Sequence, residues 1–308
     1  MSLKILQCFK ELTEKDFIIL KSIEHLMVTN SLVKLDDVAK STNFTPSYVQ
    51  KKIAYLDKLD LITTHRKDEK YIDVILNYMA YDGLALNELV KNNIIQAVGN
   101  PIGVGKESNV FIGILADGNE CALKFHKLGK MKFKATKRKR DFIAEKRHLS
   151  RLYESTLNAK REAIALKKLA GFIPVPKIYG YNRHVIVMEK IEGVELQKLS
   201  NLEDKVYLRM YLDIISNIKT MVNFNFIHGD LSQYNILVDH TDENFKYFII
   251  DWPQYTELEH PNSLDFLIND INNIYTFFGK KIKIENINVE EFANEIYNEA
   301  KNLLSTRR

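Results

Sequence analysis

A run of thirteen residues, 226–238, constrains the fold of this chain more than any other stretch. An apolar pair leads into a His-Gly-Asp turn that ends at Asp230, and Asn235 follows five residues later, directly before Ile-Leu-Val. An aspartate that accepts a proton and an asparagine that ligates a cation, held on one rigid loop, suit phosphoryl transfer, because that chemistry depends mostly on positioning and charge neutralisation. Asp and Asn also occur in turns for backbone reasons alone. Motifs elsewhere in the chain are therefore needed to distinguish a catalytic loop from an ordinary turn.

The composition is that of an ordinary globular protein. The chain has 308 residues, which suggests about two domains, with 27% charged and 45% hydrophobic residues. No apolar run approaches the roughly 20 residues of a membrane span, and the N-terminus lacks a signal-peptide layout. Cys8 and Cys121 lie far apart and fit neither a metal site nor a disulfide framework. We therefore expect a cytoplasmic protein without a membrane partner.

The first part of the chain has the pattern of a winged helix. A capping box at Thr13 precedes apolar residues at helical spacing, a second short helix is predicted near 35–39, and an N-cap at Thr45 followed by proline begins a third. Two segments, 61–65 and 71–75, then predict a hairpin around a polar turn.

A winged-helix domain with its connecting helix is therefore predicted over residues 1–92. Such domains present their third helix to nucleic acid, as other helix-turn-helix proteins do. Lys51 and Lys52 fall at exposed or boundary positions of that helix, and the turn at 66–70 is basic. The pattern favours nucleic-acid contact, with a protein-docking module of ordinary polar surface as the alternative.

The second domain, predicted over 93–308, opens with Gly-Val-Gly-Lys-Glu-Ser at 103–108. This is not a Walker A loop, because its first glycine and its final Ser or Thr are missing. Strands predicted at 94–98 and 110–115 flank it, which favours a hairpin that covers a nucleotide. The residues expected to bind nucleotide here are Gly103, Gly105, Lys106, Ser108 and Val110.

The next strand, Cys-Ala-Leu-Lys-Phe, has the spacing of the kinase Val-Ala-Ile-Lys strand. Strand alternation points Ala122 and Lys124 the same way, toward a nucleotide under the glycine loop. Lys124 would hold the α- and β-phosphates, and its acidic partner must come from a following helix. Glu162 is the candidate, while Glu145 and Glu154 fit the helical frame less well.

The apolar segment 185–191 predicts a buried strand that leads into a hinge. Backbone groups of Glu189 and Ile191 are expected to bind adenine there, with Met188 beside them. A core strand without ligand contacts is the alternative that this strand alone would favour.

A second apolar strand, near 247–250, ends at Asp251 just downstream of the catalytic loop. Asp251 matches the aspartate of the kinase Asp-Phe-Gly motif, so Asp251 and Asn235 are the predicted Mg²⁺ ligands. Leu237 and Ile250 complete the predicted nucleotide contacts. The predicted catalytic residues are Lys124, Asp230 and Asp251.

Residues 127–151 form a basic segment, with eleven Lys and Arg residues against Asp141 and Glu145. Its composition is compatible both with a solvated loop and with contact to RNA or substrate. The RNA-facing candidates of the whole chain are Lys51, Lys52, Lys137, Arg138, Lys139 and Arg140.

Taken together the motifs resemble the RIO family of atypical serine/threonine kinases, and within it the archaeal form of the Rio2 branch. The resemblance rests on Gly-Val-Gly-Lys-Glu-Ser-Asn-Val-Phe at 103–111, Leu-Lys-Phe-His-Lys at 123–127, His-Gly-Asp-Leu-Ser-Gln-Tyr-Asn at 228–235 and Ile-Asp-Trp-Pro-Gln at 250–254. The preceding winged helix is typical of Rio2. The chain departs from the usual patterns at Gly229, where kinases have Arg, and at Trp252, where Phe is more usual.

This resemblance implies an α+β architecture in which the winged helix is followed by a compact bilobal, protein-kinase-like RIO domain. The N-lobe would cover about 93–190 and the C-lobe about 191–308, with ATP and Mg²⁺, or alternatively Mn²⁺, bound between them. It implies Asp230 as the catalytic aspartate of a non-specific serine/threonine kinase with ATPase activity. Such a protein would act as a switch in small ribosomal subunit maturation, with a subunit precursor (rRNA and assembly proteins) as partner and a monomeric state.

The stretch between Asp251 and the next predicted helix near Ser263 leaves no room for a usual activation loop. Water or an active-site group is then the expected phosphate acceptor, and Asp251 itself is a hypothesis for it. One alternative is a small-molecule phosphotransferase of aminoglycoside- or choline-kinase type, disfavoured by the short tail. The other is a winged-helix nucleic-acid-binding regulator with an inactive partner domain, disfavoured because the predicted catalytic and metal residues are all present.

Overall fold

The computed structural model describes residues 3–66, 72–105, 107–127, 143–200, 202–239 and 245–306. It divides into two compact units. The first unit comprises Met1–Ala159 and Gly180–Val187, and the second comprises Lys160–Tyr179 and Met188–Arg308. The predicted boundary at residue 92 lies inside the first unit and stays a prediction.

The N-terminal part of the first unit is a winged helix, as predicted. Its elements are α1 Leu3–Phe9, α2 Glu14–Leu26, β1 Val33–Lys34, α3 Leu35–Thr42, α4 Pro46–Lys58, β2 Ile62–Arg66, β3 Ile72–Leu76 and the connecting helix α5 Tyr78–Lys91. The three strands form an antiparallel sheet in the order β1-β3-β2. The capping box forms, since Asp16 Oδ2 accepts hydrogen bonds from the N–H of Thr13 (2.9 Å) and from its hydroxyl (2.5 Å).

Helix α1 was not predicted from the sequence. Its apolar residues Ile5 and Cys8 are buried in the same core as α2, α4 and α5. Gly83 of α5 allows the close approach, because a Cβ there would lie 3.1 Å from Ile5 Cδ1. A seven-residue helix has too short a pattern to be recognised alone, and tertiary packing stabilises it.

A five-stranded sheet follows in the order β4-β5-β6-β8-β7. Its strands are β4 Ile95–Val104, β5 Ser108–Leu115, β6 Glu120–His126, β7 Ile178–Asn182 and β8 Val185–Met188, with helix α6 Ile143–Leu169 between β6 and β7. The strand predicted over 185–191 therefore ends at Met188. Gly113 is required on β5, because a Cβ there would lie 2.0 Å from Leu123 Cδ1.

Two polar side-chain contacts join the winged helix to this sheet within the first unit. Arg183, in the turn between β7 and β8, binds Glu24 of α2 through two nitrogens (2.7 and 2.5 Å). His184 Nε2 lies 2.8 Å from Asp82 Oδ1 of α5, and both side chains are buried. Such a buried, paired contact favours one relative arrangement of the two parts, because separating either partner would leave a buried polar group unsatisfied.

The second unit is mainly helical. It contains β9 Val194–Glu195, a short 3₁₀ helix Leu196–Lys198, α7 Asp204–Asn223, β10 Ile236–Val238, β11 Tyr247–Ile249, α8 Ser263–Gly279 and α9 Val289–Thr306. The three strands form an antiparallel sheet in the order β11-β10-β9. The sequence pattern predicts helices over about 204–224, 263–278 and 289–304, and α7, α8 and α9 match these ranges to within two residues. The three helices pack on one another and bury Ile214, Ile271 and Ala293.

No helix in the described part of the chain is long and apolar enough to cross a membrane. Cys8 and Cys121 are both buried and unpaired with each other, as expected. Burial raises the pKa of the Cys121 thiol to about 11, so it stays protonated at neutral pH.

Candidate active site

The glycine-rich loop forms the tip of the β4–β5 hairpin. Gly103 pairs with Val110, and the N–H of Gly105 donates to the carbonyl of Ser108 at 2.9 Å. Lys127, at the end of β6, donates from Nζ to the carbonyl of Gly105 at 2.6 Å. The tip is therefore anchored to the lysine-bearing strand. Lys106 lies outside the described residues, so its predicted contact with nucleotide stays a prediction.

The predicted phosphate-binding lysine lies at the centre of the sheet. Lys124 is buried and pairs with Val110, and Ala122 pairs with Ile112 on the same face of β5 and β6. The opposite face, which includes Leu123, is packed into the core. One face of these strands thus carries the residues that the sequence assigned to the nucleotide.

The hinge after β8 limits which main-chain group of Glu189 can bind adenine. The N–H of Glu189 donates to the carbonyl of Lys177 at 2.7 Å, and the Glu189 carboxylate accepts the N–H of Lys177 at 3.0 Å. Because that N–H is used, Glu189 has only its carbonyl to offer to adenine. The roles of Met188 and Ile191 stay predictions.

The catalytic loop in the second unit holds Asp230 beside Asn235. Asn235 Nδ2 donates to the carbonyl of Asp230 at 2.8 Å and lies 3.4 Å from its Oδ2. The main chain of Asn235 is fixed as well, since its carbonyl accepts the N–H of Ile250 at 2.9 Å. With Nδ2 engaged, the oxygen Oδ1 of Asn235 is the atom left to ligate a metal. Asp230 itself is exposed to solvent.

The unusual glycine in this loop has a steric cause. Gly229 adopts a φ of +80°, in the left-handed region that L side chains avoid. A Cβ on Gly229 would also lie 2.9 Å from the carbonyl oxygen of Gln254. An arginine at this position is therefore incompatible with the path of the chain after Asp251.

Helix α8 supplies two residues that the sequence analysis missed. Asp270 accepts the N–H of Gly229 (2.8 Å) and of Leu231 (2.7 Å), and Asn273 Nδ2 donates to the carbonyl of Leu231 at 3.0 Å. Burial raises the pKa of Asp270 to about 7, the two N–H donors oppose this rise, and the charge of Asp230 adds to it. The available signal was an aspartate on the apolar face of a helix, because such a residue is buried and must have partners.

Asp251 is held on both sides along the chain. The carbonyl of Ile250 lies 3.0 Å from His228 Nε2, and the N–H of Trp252 lies 3.4 Å from Glu162 Oε1. Trp252 is fully buried, with its ring 4.5 Å from that of His228. Asp251 adopts a φ of +68°, a costly conformation that persists only where the neighbours determine it.

The donors in this loop region fit a magnesium ion. Mg²⁺ prefers oxygen ligands and is commonly held by one or two carboxylates together with substrate phosphates. Asp251 supplies a carboxylate and Asn235 an amide oxygen. Within the described residues no group of three or more His, Cys, Asp or Glu side chains forms a metal site, so no competing cage is present there.

Glu162 is buried in the C-terminal half of α6, and its Oε1 faces the N–H of Trp252. Its predicted pairing with Lys124 joins residues of different compact units and stays a prediction. Leu237 and Ile250 lie on β10 and directly after β11 respectively. Their contact with nucleotide stays a prediction too.

The nucleic-acid candidates divide into three groups. Lys51 is exposed on α4, as the sequence analysis assumed. Lys52 forms an ion pair within the domain, because its Nζ lies 2.8 Å from the fully buried carboxylate of Asp16. The candidates of the basic segment, Lys137, Arg138, Lys139 and Arg140, lie outside the described residues.

A glycine hairpin next to a lysine-bearing strand, together with a His-Gly-Asp loop and an aspartate that follows a buried strand, defines a phosphotransferase with a protein-kinase-like fold. Two family models match the chain: "Rio2, N-terminal" over residues 9–92 and "RIO domain" over residues 109–292. The chain belongs to the RIO family of serine/threonine-protein kinases, in its Rio2 branch.

Individual relatives agree with this assignment. The chain is 38% identical over 256 residues to the RIO-type serine/threonine-protein kinase Rio2 of Methanocaldococcus jannaschii, which covers 82% of this chain and 92% of the relative. It is 34% identical to the Dictyostelium discoideum rio2 kinase and 31% identical to the Saccharomyces cerevisiae RIO2 kinase. Both alignments include 89% of this chain. They include only 52% of the Dictyostelium relative and 65% of the Saccharomyces relative, because both relatives are longer.

A solved structure with the same fold is that of the Chaetomium thermophilum Rio2 kinase–ADP/Mg²⁺–phosphoaspartate complex. The TM-score is 0.81 at 28% identity, over 94% of this chain and 88% of the other. A second crystal structure of the Chaetomium thermophilum Rio2 kinase gives a TM-score of 0.78 at 29% identity. The fold class predicted from the sequence is therefore confirmed.

Proposed function

We propose that this chain binds ATP with Mg²⁺, Mn²⁺ being an alternative metal, and transfers the γ-phosphoryl group as a switch in small ribosomal subunit maturation. The observation that carries the catalytic part is the loop geometry, in which Asn235 Nδ2 is bonded to Asp230 and leaves Oδ1 for the metal. The RIO family membership favours this function over the aminoglycoside- or choline-kinase alternative.

Each residue has a distinct role in this proposal. Lys124 neutralises charge on the phosphates, and Asn235 and Asp251 hold the metal. The metal neutralises charge that develops on the transferred group. Asp230 orients the water that hydrolyses the acyl phosphate and accepts a proton from it, which its solvent exposure allows. Positioning and electrostatic stabilisation account for most of the rate enhancement in such sites.

The phosphate acceptor is proposed to be Asp251 itself, followed by water. The segment between Asp251 and α8 is short, and Trp252, Pro253, Tyr255 and Thr256 in it are buried, which leaves little surface beside Asp251 for docking a peptide. One Asp251 oxygen attacks the γ-phosphorus, the bond to the bridging oxygen breaks, and ADP leaves. Water then attacks the acyl phosphate and restores the carboxylate with release of inorganic phosphate. The phosphoaspartate complex of the Chaetomium thermophilum Rio2 kinase supports this step.

Labelled ATP tests the proposal. We expect label on the protein that hydroxylamine removes, that Asp251→Asn abolishes, and that Asp251→Glu reduces. Free phosphate should appear at the rate at which the label turns over. Label that resists hydroxylamine and maps to Ser or Thr would instead show ordinary autophosphorylation, and absence of both label and free phosphate would contradict the enzymatic proposal.

The proposed partner is a precursor of the small ribosomal subunit, contacted through its RNA, with the protein acting as a cytoplasmic monomer. The winged helix supports this proposal, because α4 is the recognition helix of the layout and carries the exposed Lys51. Two buried, unpaired cysteines fit a reducing compartment.

Binding to precursor RNA should fall steeply with salt, with a slope of about −0.7 per contacted phosphate of a single strand. Lys51→Glu should flatten that slope, whereas Lys280→Glu, an exposed charge reversal after α8, should not. Lys52 is unsuitable for this test because its substitution disturbs the fold. An unchanged salt slope in the Lys51 variant would mean that the winged helix contacts protein rather than RNA.

A further inference from the structure

One arginine of α6 holds the main chain just after the predicted metal ligand. Arg161 Nε donates to the carbonyl of Pro253 at 2.9 Å, and Nη2 donates to the carbonyl of Tyr255. The guanidinium carbon also lies 4.5 Å from the centre of the Tyr255 ring. A single side chain thus bonds the chain two and four residues after Asp251, within the second unit.

Neighbouring contacts complete this attachment. The carboxylate of Glu162, the next residue of α6, faces the N–H of Trp252. At the far end, Thr256 and Ile227 exchange two main-chain hydrogen bonds of 2.8 and 2.9 Å. We call residues 252–256 the metal-proximal segment. It is held by α6 on one side and by the start of the catalytic loop on the other.

The chemistry of this contact requires arginine. Its planar guanidinium donates in two fixed directions and stacks on an aromatic ring, whereas a lysine ammonium does neither at once. Hydrogen bonds from a charged donor are about twice as strong as neutral ones. Asp251 has a positive φ, which is a strained backbone conformation. Such a conformation persists only while the neighbouring residues are held in place, and the metal-proximal segment provides these neighbours on the C-terminal side.

We propose that Arg161 is a positioning residue that holds the metal-proximal segment, and with it the Asp251 carboxylate, in the metal-binding conformation before nucleotide arrives. The inference rests on the proposed role of Asp251 as a Mg²⁺ ligand. In this chain a built-in arginine contact performs the ordering that an activation loop would otherwise have to provide. Loss of Arg161 loosens the segment and lowers the affinity for the metal, without touching the metal or nucleotide directly.

The chain contains its own probe for this test. Trp252 is its one tryptophan, is fully buried, and lies within the metal-proximal segment. Acrylamide quenching of its fluorescence therefore reports the exposure of this segment in the absence of any ligand. A Mg²⁺ titration of ADP binding by calorimetry gives a second readout that does not depend on turnover.

The variants are Arg161→Met, which removes both hydrogen bonds, and Arg161→Lys, which retains the charge. Lys160→Met is the matched control, because Lys160 precedes Arg161 on α6 and is exposed. All proteins are compared at a temperature at which thermal unfolding shows them fully folded. If Arg161→Met does not fold, Arg161→Lys carries the test alone.

We expect Trp252 quenching to increase in Arg161→Met, to be intermediate in Arg161→Lys, and to match the natural protein in Lys160→Met. The Mg²⁺ concentration for half-maximal ADP binding should rise about tenfold in Arg161→Met, the change expected from losing hydrogen bonds of a charged group. ADP affinity without metal should stay within about twofold, well under the factor of ten that 1.4 kcal/mol represents.

Unchanged quenching and unchanged Mg²⁺ dependence in the folded variants, with only a lower melting temperature, would overturn the proposal, because Arg161 would then contribute to stability alone. A different result would count against the proposed function instead. If the natural protein binds ADP equally well with and without Mg²⁺, Asp251 is not the metal ligand, yet the quenching experiment still decides whether Arg161 holds the segment.

Discussion

Asp270 on helix α8 accepts the main-chain N–H of Gly229 at 2.8 Å, and its second oxygen accepts the N–H of Leu231 at 2.7 Å. These two N–H groups flank Asp230, so a buried carboxylate fixes the main chain on both sides of the predicted catalytic residue. The loop is thereby attached to the helical core of the second unit rather than to its own strand alone.

Asp270→Asn should weaken this attachment, because the amide offers one acceptor and turns a donor toward the other N–H. A buried donor left unsatisfied costs about 1–3 kcal/mol, so we expect the free energy of unfolding to fall by that amount. Turnover should fall further, since Asp230 loses its fixed position. Urea unfolding and ATP turnover measure the two effects. Asp265→Asn, an exposed change on the same helix, should stay within about 0.5 kcal/mol, and equal losses in both variants would contradict the prediction.

The same residue predicts a pH dependence of stability. Burial raises the pKa of Asp270 from 3.8 to about 7, so between these values the folded protein retains a proton that the unfolded chain has released. The free energy of unfolding contributed by this group is therefore fully present below pH 3.8 and decreases as the pH rises toward 7. Urea unfolding at pH 5 and pH 7.5 should show this decrease in the natural protein and a smaller one in Asp270→Asn. Parallel pH profiles would show that Asp270 does not titrate in this range.

Gly229→Ala should be destabilising for two reasons, the backbone conformation and a steric clash. Gly118→Ala is a control that shares only the first. Alanine pays about 1–2 kcal/mol for the left-handed backbone conformation, and its Cβ would also meet the carbonyl oxygen of Gln254. Gly118 has a similar φ of +91°, but a Cβ there meets nothing within 4 Å. Thermal unfolding should therefore show a larger loss for Gly229→Ala than for Gly118→Ala. Similar losses would mean that the loop shifts to accommodate the methyl group.

Lys124→Met and Asp230→Asn should affect different steps. Lys124 is buried on the face of the sheet that we propose binds the nucleotide, so its loss should weaken ATP binding at least tenfold, or about 1.4 kcal/mol. Asp230 acts on the nucleophile, so Asp230→Asn should abolish turnover while ATP affinity stays nearly unchanged. Equilibrium binding and single-turnover assays measure the two quantities. Lys167→Met, an exposed change on α6, serves as the control, and a loss of affinity in Asp230→Asn equal to its loss of rate would point to a metal-binding role.

Lys52→Met should destabilise the winged helix, because it removes the cation beside the buried carboxylate of Asp16. Breaking a buried pair from one side costs up to about 3–5 kcal/mol, and the hydrogen bonds from Thr13 to Asp16 should keep the loss toward about 1–3 kcal/mol. Lys51→Met, on the next exposed position, should change stability by less than about 0.5 kcal/mol. The melting temperatures of the two variants test this prediction. Equal values would mean that the ion pair between Lys52 and Asp16 does not contribute to stability.

The sequence by itself determined the family, the order of most elements, with α1 as an exception, and the candidate catalytic and metal-binding residues. Local signals were sufficient there: the Thr13 capping box, the strand alternation around Lys124, and the fixed offset between Asp230 and Asn235 all act over a few residues. The helices predicted near 204–224, 263–278 and 289–304 ended within two residues of α7, α8 and α9 for the same reason.

Only the tertiary structure decided how those groups are held. Asp270, forty residues beyond Asp230, and Arg161, ninety residues before Asp251, contact the catalytic segments through folding and not through any local pattern. Lys52 has the sequence context of an exposed lysine, but the fold places the buried Asp16 carboxylate beside it. Gly229 is explained only by the carbonyl of Gln254, which the chain brings back to it. Contacts between distant residues depend on packing, and packing is a property of the whole chain rather than of any short segment.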